Sequence, residues 1–571
     1  MVNFKEEIAK LIAEQVSDLD ISEIQEMIEV PQDSKMGDYA FPCFKLAKTL
    51  RKAPPLIAKG IAEKISGNEM FEKVEQVNAY VNMFLSKEEL VKDVVADVLE
   101  KGADYGKTNV GGGKPVIVEY SSPNIAKPFH IGHIRSTVIG NSLYKIYDAM
   151  GYNVTRINHL GDYGTQFGKM IVAYRHWGNK QDVIDEPIKT LLSYYTKFHV
   201  EVENHPELDD EARATFAKLE HGEKEEVELW QWFRDESLKE FTRVYDMLGI
   251  SYDSYAGESF YSDKMPAIVE DLKQKNLLVE SKGAMIVDLE PYGLTPAPIL
   301  KSDGSTLYIT RDIACAKYRK DTYDFYKNIY VVASQQNLHF QQLKKILELM
   351  GFEWAKDIIH VPFGLVSLEE GTMSTREGRV VFLEDVLNRA IEETREIIKE
   401  KGVATDNIEE TAKQVGIGAV VFNELSNNRI KDYVFSWKKV LDFNGETGPY
   451  VQYTYARAAS ILRNAGEELV KKARTAEIKP EYITGESAYE LAKLIYKLPD
   501  VVVEAGEKYE PSIVTRHIVD LAQSFNRFYH DEHILVDNEE EKTAKVAMVI
   551  AAKTAIKNGL ALLGMQAPER M

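Results

Sequence analysis

Between Pro115 and Leu160 the sequence spells out a parallel βαβ unit. PVIVEY (115–120) is a short, nearly continuous apolar run, the pattern of a strand buried on both faces. SSPNIAKPFHIG reads as a loop. The next stretch, HIRSTVIGNSLYKIYDAMG, sets Ile134, Val138, Ile139, Leu143, Ile146 and Met150 at helical spacing and stops at Gly151. NVTRINHL then reads as the second strand. NIYVVAS (328–334), a helix over 337–350 and IIHVPFGLV (358–366) fit the same sheet. The expected fold is therefore an α/β doubly wound, Rossmann-like domain. Residues 175–300 are polar, with helical spacing clearest in ELWQWFRDESLKEFTRVYDMLG, and read as an insertion in that domain.

Flanking pieces differ in character. A length of 571 residues fits two to four domains. Residues 1–85 mix patterns: an amphipathic helix near 3–15, a basic stretch with Lys45 and Lys48, and a strand-like alternation over 74–86. A charged helix over 87–101 leads to Gly111–Gly113, a domain boundary by composition. After Leu383 the strand signals fade and every segment has helical spacing. The division read here is a small α+β domain with linker over 1–110, the doubly wound domain over 111–382 with its insertion at 175–300, and an all-α module over 383–571.

Cys43 and Cys315 stand far apart, so a thiolate zinc site and disulfide stapling are not expected, and the pattern suits a reducing cytosol. The N-terminus carries carboxylates where a signal peptide needs an apolar run. No apolar stretch approaches the ~18 residues of a membrane span. The net charge of −20 by itself argues against nucleic acid, but the field of one face outweighs the total, and Lys45, Lys48, Arg51, Lys52, Lys59 and Lys64 form a basic stretch.

The loop before the first sheet helix is where chemistry concentrates. A helix N-terminus at the carboxyl end of a parallel strand attracts anions. Here it brings Lys127, His130, Gly132 and His133. Glycine lets a nucleotide approach the backbone, while imidazole N–H groups and an ammonium can meet charge building on a phosphate. A His-x-x-His metal pair and two incidental histidines are the alternatives; spacing supplies no third ligand.

EYSSPNIAKPFHIGHIRST resembles the signature of the arginyl-tRNA synthetases, whose class I relatives carry a His-Ile-Gly-His-type motif. LGDYGTQFGK (160–169), KSDGSTLYITRDIACA (301–316), VVASQQNLHFQQ (331–342), GTMSTREG (371–378), FNGETGPYVQYTYARAASIL (443–462) and the ending APERM continue the resemblance in order, and GDYAFPCFKLAK resembles the family's N-terminal domain. The resemblance implies arginine–tRNA ligation. The carboxylate of L-arginine attacks the α-phosphate of ATP, carried with Mg2+, and the arginyl group passes to the terminal ribose of tRNA(Arg). It further implies that activation needs bound tRNA, that no structural metal is held, and that the chain is a cytoplasmic monomer.

Site roles follow from the same resemblance. Lys127, His130, His133 and Arg376 are implied to be catalytic, and His130, Gly132, His133, Met373 and Ser374 to hold ATP. Glu119, Asn124, Tyr308, Asp312 and Gln336 are implied to hold arginine. Chemistry supports an acidic pocket, since a guanidinium has five donors and no acceptor. Tyr308 and Asp312 are four apart, on one face of a helical turn. A structural ion pair with Arg311 or a lysine is the alternative for Asp312. At the second class I signature, normally Lys-Met-Ser-Lys-Ser, this chain has Thr372, Met373, Ser374, Thr375 and Arg376. Both lysines are missing, and Lys127 is implied to compensate.

The C-terminal part, about 443–571, resembles a helical anticodon-binding domain. There Tyr450, Tyr453 and Tyr455 interleave with Arg457 and Arg463, a mixture that suits stacking on single-stranded bases; taken singly, a tyrosine in a helical bundle is usually core. Lys45 and Lys48 would meet the tRNA elbow. A synthetase for another amino acid and an RNA-binding paralogue without catalysis are the competing readings. Asp312 and Glu119 disfavour acidic substrates, and the presence of both histidines, Lys127, Asn124 and Asp312 disfavours the paralogue.

Overall fold

The computed structural model describes residues 2–16, 19–302, 304–368, 381–400, 402, 407–443 and 445–571. These fall into two compact units: one of Met1–Gly106, Thr454–Pro499 and His517–Asn558, the other of Lys107–Tyr453, Asp500–Arg516 and Gly559–Met571.

In the first unit β1 (Tyr39–Pro42), β2 (Phe71–Val77) and β3 (Tyr80–Leu85) form an antiparallel sheet in the order β1-β3-β2. The alternation expected as one strand over 74–86 is thus a hairpin. Val77 pairs with Tyr80 across a two-residue turn, and Asn78 takes the left-handed conformation there (φ 53°), which asparagine tolerates better than most residues. Helix Pro54–Ile65 packs on β2 and β3, burying Ile57, Ile61 and Ile65; proline at its first position costs no hydrogen bond, because that N–H would have no helical acceptor. Sequence-distant pieces close the unit: Tyr105 donates to the Ile495 carbonyl at 2.7 Å, and Asn558 donates to the carbonyls of Gly102 and Tyr105, each at 2.9 Å.

The second unit carries β4 (Pro115–Glu119) and β5 (Asn153–Ile157), joined by helix Ile134–Ala149. Next come β6 (Leu278–Ser281), β7 (Ala284–Val287) and β8 (Ala297–Leu300), then β9 (Lys327–Ala333) and β10 (Ile358–Phe363). All four strands of the sheet β10-β9-β4-β5 run parallel, the doubly wound arrangement expected. The chain steps from β4 to β5 on one side and later returns to β9 on the other. The carboxyl ends of β4 and β9 therefore form the topological switch point. Ile117 and Ile157 pack with Ile313, Leu343 and Ile346 in one core, and helix Ile134–Ala149 packs on the sheet as well. A Cβ at Gly140 would overlap the Tyr120 ring, so glycine permits that helix its close approach to the end of β4.

Two sequence expectations change. The insertion is mostly helical, but it ends in the antiparallel sheet β6-β7-β8, whose four-residue strands are too short to show a period. The stretch after Leu383 also contains a strand: β11 (Val366–Leu368) pairs in parallel with β12 (Tyr433–Phe435). No described helix is long and apolar enough to cross a membrane.

Candidate active site

The switch-point loop is pinned from several sides. Ser121, Ser122 and Ala126 adopt positive φ (71°, 47° and 57°), uncommon for side chains of this kind and sustained only by surrounding contacts. Those contacts are visible. Gly161 donates to the Pro123 carbonyl at 3.0 Å and Ile125 donates to the Gly161 carbonyl at 3.1 Å. A Cβ at Gly161 would run into the Asn124 side chain, which would have to turn from its present place to admit it. Ser136 donates to the Val331 carbonyl of β9 (2.7 Å) and accepts from Ser121 N (2.9 Å), while Thr137 Oγ1 bonds Ser121 Oγ at 2.9 Å. The Ser-Thr pair after the histidines thus ties the helix start to β9 and to the loop that leaves β4.

The histidines cap that helix start. His130 Nδ1 accepts from Gly132 N at 3.1 Å, so the neutral ring carries its proton on Nε2, ready to donate. His133 turns back to cap the N–H of His130 at 3.2 Å, and the two ring centres lie 4.1 Å apart. Phe129 covers His133 at 5.2 Å. Burial, with His130 beside it, pushes His133 down to about 3, and burial lowers His130 as well. The pair offers neutral donors and no positive charge. Lys127 is exposed in the same loop.

Helix Tyr308–Tyr323 brings the proposed guanidinium residues. Asp312 pairs with His339 (Nε2–Oδ2 2.6 Å) and not with Arg311, which pairs with Glu258 at 2.9 Å. Burial pushes Glu258 up to about 7, while Arg311 and, more weakly, Lys127 draw it down. Tyr308 is 66% exposed. Gln336 is exposed in the 3-10 turn Ser334–Gln336 that directly follows β9, and Asn124 is exposed in the pinned loop. A cleft of about 940 Å³ opens at Tyr308 and Arg311, lined also by Tyr163 and Ser259; Asn124, Asp312 and Gln336 do not line it.

Glu119 differs from its expected place as a substrate contact. It is 5% exposed, and its Oε2 lies 2.6 Å from Arg319 Nη1, whose side chain is fully buried. The contact is ionic, because the guanidinium N–H groups are not aligned on the carboxylate. A desolvated carboxylate needs a cation, and Arg319 supplies it from two turns along the helix of Asp312.

Lys45 and Lys48 are exposed around the short helix Leu46–Leu50. Tyr450, Tyr453, Arg457 and Arg463 lie on helix Gly448–Ala465; Tyr453 is 40% exposed, and Arg457 bonds Asn526 at 2.6 Å. Tyr455 is core, at 1% exposure, and closed to any base. Met373, Ser374 and Arg376 lie outside the described residues. Among the described residues no three histidine, cysteine or acidic side chains gather as a metal site.

Sequence reasoning missed His339, Arg319 and Asp162. The last is fully buried and accepts from Arg234 (3.0 Å), Ser259 N (2.8 Å) and Ser259 Oγ (2.9 Å), fastening the insertion beneath the site. His339 had a signal: it follows Gln336 by three, one helical turn.

Comparison with known proteins agrees with this geometry. Residues 94–437 match the family "tRNA synthetases class I (R), catalytic domain", 451–571 the "DALR anticodon binding domain" and 4–85 the "Arginyl tRNA synthetase N terminal domain". The chain is 58% identical to an arginine–tRNA ligase of Halothermothrix orenii and 59% identical to one of Clostridioides difficile, over the full length of each. A solved Thermus thermophilus arginyl-tRNA synthetase superimposes with a TM-score of 0.80 at 26% identity, covering 100% of this chain and 99% of that one. The pinned histidine loop at the switch point and the likeness along the whole sequence lead to one assignment: the chain belongs to the class I arginyl-tRNA synthetases.

Proposed function

We propose that this protein is an arginine–tRNA ligase that forms arginyl-adenylate from L-arginine and Mg2+-bound ATP and esterifies tRNA(Arg), with activation waiting for tRNA. Whole-length likeness to arginine–tRNA ligases carries the reading. The residues give it a mechanism without a protein nucleophile. His130 and His133, both neutral, donate hydrogen bonds to the phosphates, and Gly132 lets the nucleotide lie against the backbone. Lys127, with Arg376 after it, meets the charge that grows on the α-phosphate and the leaving pyrophosphate; Met373 and Ser374 complete the ATP contacts. Asp312 takes the guanidinium beside Tyr308, Gln336 and Asn124, and Glu119 with Arg319 forms the floor beneath them.

The division of labour follows the sequence reading. Residues 1–110, through Lys45 and Lys48, meet the tRNA elbow. Residues 111–382 carry the chemistry, and within 383–571 the part from about 443 reads the anticodon with Tyr450, Tyr453, Arg457 and Arg463. The enzyme acts as a cytoplasmic monomer. Coupling of activation to tRNA is induced fit, tRNA binding energy being spent on assembling the site. ATP–pyrophosphate exchange with arginine, run with and without tRNA(Arg), tests both claims. Exchange is expected only with tRNA present. Rapid exchange without tRNA overturns the gating, and none in its presence overturns the ligase reading.

A further inference from the structure

We propose that His339 is a positioning residue for the guanidinium site: as a neutral imidazole it orients Asp312, and as an imidazolium it competes with arginine for the same carboxylate. The proposal rests on the assignment of Asp312 to the guanidinium. Its basis is the contact of 2.6 Å between His339 Nε2 and Asp312 Oδ2, made by side chains 24% and 31% exposed. Such a pair is neither screened like a surface pair nor sealed from a ligand. The neighbouring cation, Arg311, is already committed to Glu258 at 2.9 Å, which leaves His339 as the partner of Asp312. His339 is held in turn. Its ring meets Phe340 edge-on at 5.7 Å, and Phe340 stacks on His360 at 4.3 Å.

A neutral His339 with its proton on Nε2 fixes one oxygen of Asp312, and a carboxylate has capacity for a second donor. A protonated His339 puts a second cation on that carboxylate, and a guanidinium arriving there meets repulsion. Burial pulls His339 down, but Asp312 more than offsets it, so the imidazole titrates above its ordinary value while the guanidinium is absent. Arginine neutralises Asp312 and brings a cation, so it lowers that value and expels the proton. Binding therefore weakens as pH falls through the titration of His339 in the free site.

Other groups face the pair. They are Arg311 and Cys315 on the helix of Asp312, Glu258 beside Arg311, Tyr330 on β9 and His360 on β10. Burial raises Cys315 and Tyr330, away from the window, and lowers His360, in the direction opposite to His339. Glu258, at about 7, titrates within it and must be separated.

The experiment measures KM for arginine and kcat separately against pH, with saturating ATP and tRNA, in the wild type, His339→Gln and Glu258→Gln. Glutamine keeps a donor near the place of Nε2 without titrating. The slope is read, not the absolute KM. Wild-type KM is expected to rise by up to about tenfold per pH unit below the titration of His339. His339→Gln should flatten that rise, and Glu258→Gln should retain it. A slope that survives in His339→Gln, or one lost in Glu258→Gln, overturns the proposal. Calorimetry of arginine binding to the Glu258→Gln enzyme–tRNA complex, in two buffers of different ionisation enthalpy and at a pH below the rise in KM, covers a His339 variant that does not fold: protons should be released, and no release overturns the idea. Asp312→Asn tests the underlying assignment separately, because an unchanged arginine KM there removes the guanidinium from Asp312 whatever His339 does.

Discussion

Glu119 Oε2 and Arg319 Nη1 stand 2.6 Å apart at the carboxyl end of β4, their side chains 6% and 0% exposed. Removing one partner strands a charge in a medium that cannot solvate it, at a cost of roughly 3–5 kcal/mol. Arg319→Met should therefore lower the thermal unfolding temperature sharply, and adding Glu119→Leu should recover most of the loss. A double variant no more stable than the single one would show that the pair is not what Arg319 contributes.

Asp312 offers the guanidinium a charge-assisted hydrogen bond. Asp312→Asn should reduce kcat/KM for arginine by roughly 1.5–3 kcal/mol in transition-state terms, about one to two decades. KM for ATP should hardly move, since the phosphates lie at the histidine loop. Steady-state aminoacylation with each substrate varied in turn checks this.

The two imidazoles at the signature are neutral donors, so a cation must come from elsewhere. Lys127→Ala should slow adenylate formation by about two to three decades, the scale of losing one preorganised donor to a developing oxyanion. Arg376→Ala should act in the same direction but less. Single-turnover activation with saturating tRNA separates them, and a near-normal rate in Lys127→Ala beside a collapse in Arg376→Ala would reverse the assignment.

His133 links this site to stability. Its folded-state value of about 3 lies below the ordinary 6.5, so the unfolded chain binds more protons between the two. The contribution of His133 is complete above about pH 6.5 and is lost as pH falls toward 3, at up to about 1.4 kcal/mol per unit. Thermal unfolding of the wild type should weaken from about pH 7 to pH 5 more steeply than that of His133→Asn. Equal slopes would mean the ring is not buried in its neutral form.

The parts of the fold legible in sequence were those with local signals. PVIVEY and NIYVVAS read as buried strands because burial on both faces leaves a continuous apolar run, whereas NVTRINHL, a partly buried edge strand, was legible from its place after the helix of a βαβ unit. The signature loop was readable because its chemistry is contiguous. What stayed hidden depends on partners far along the chain or on very short elements. Glu119 meets a guanidinium 200 residues later, and nothing near position 119 announces it. Asp312 meets His339, 27 residues on and across a strand. The strands β6–β8 and β12 have three or four residues each, less than either period needs to show itself.

The first compact unit joins Met1–Gly106 to helical segments of the chain from Thr454 onward. Translation delivers those helices roughly 350 residues after Gly106. At about 5–20 residues per second the wait is on the order of tens of seconds. Throughout it, Tyr105 and the carbonyl of Gly102 lack the Ile495 and Asn558 partners that they have in the finished chain. The N-terminal segment leaves the ribosome as a half-built object that can be completed only near the end of synthesis, and a nascent chain truncated before Thr454 would carry it unfinished.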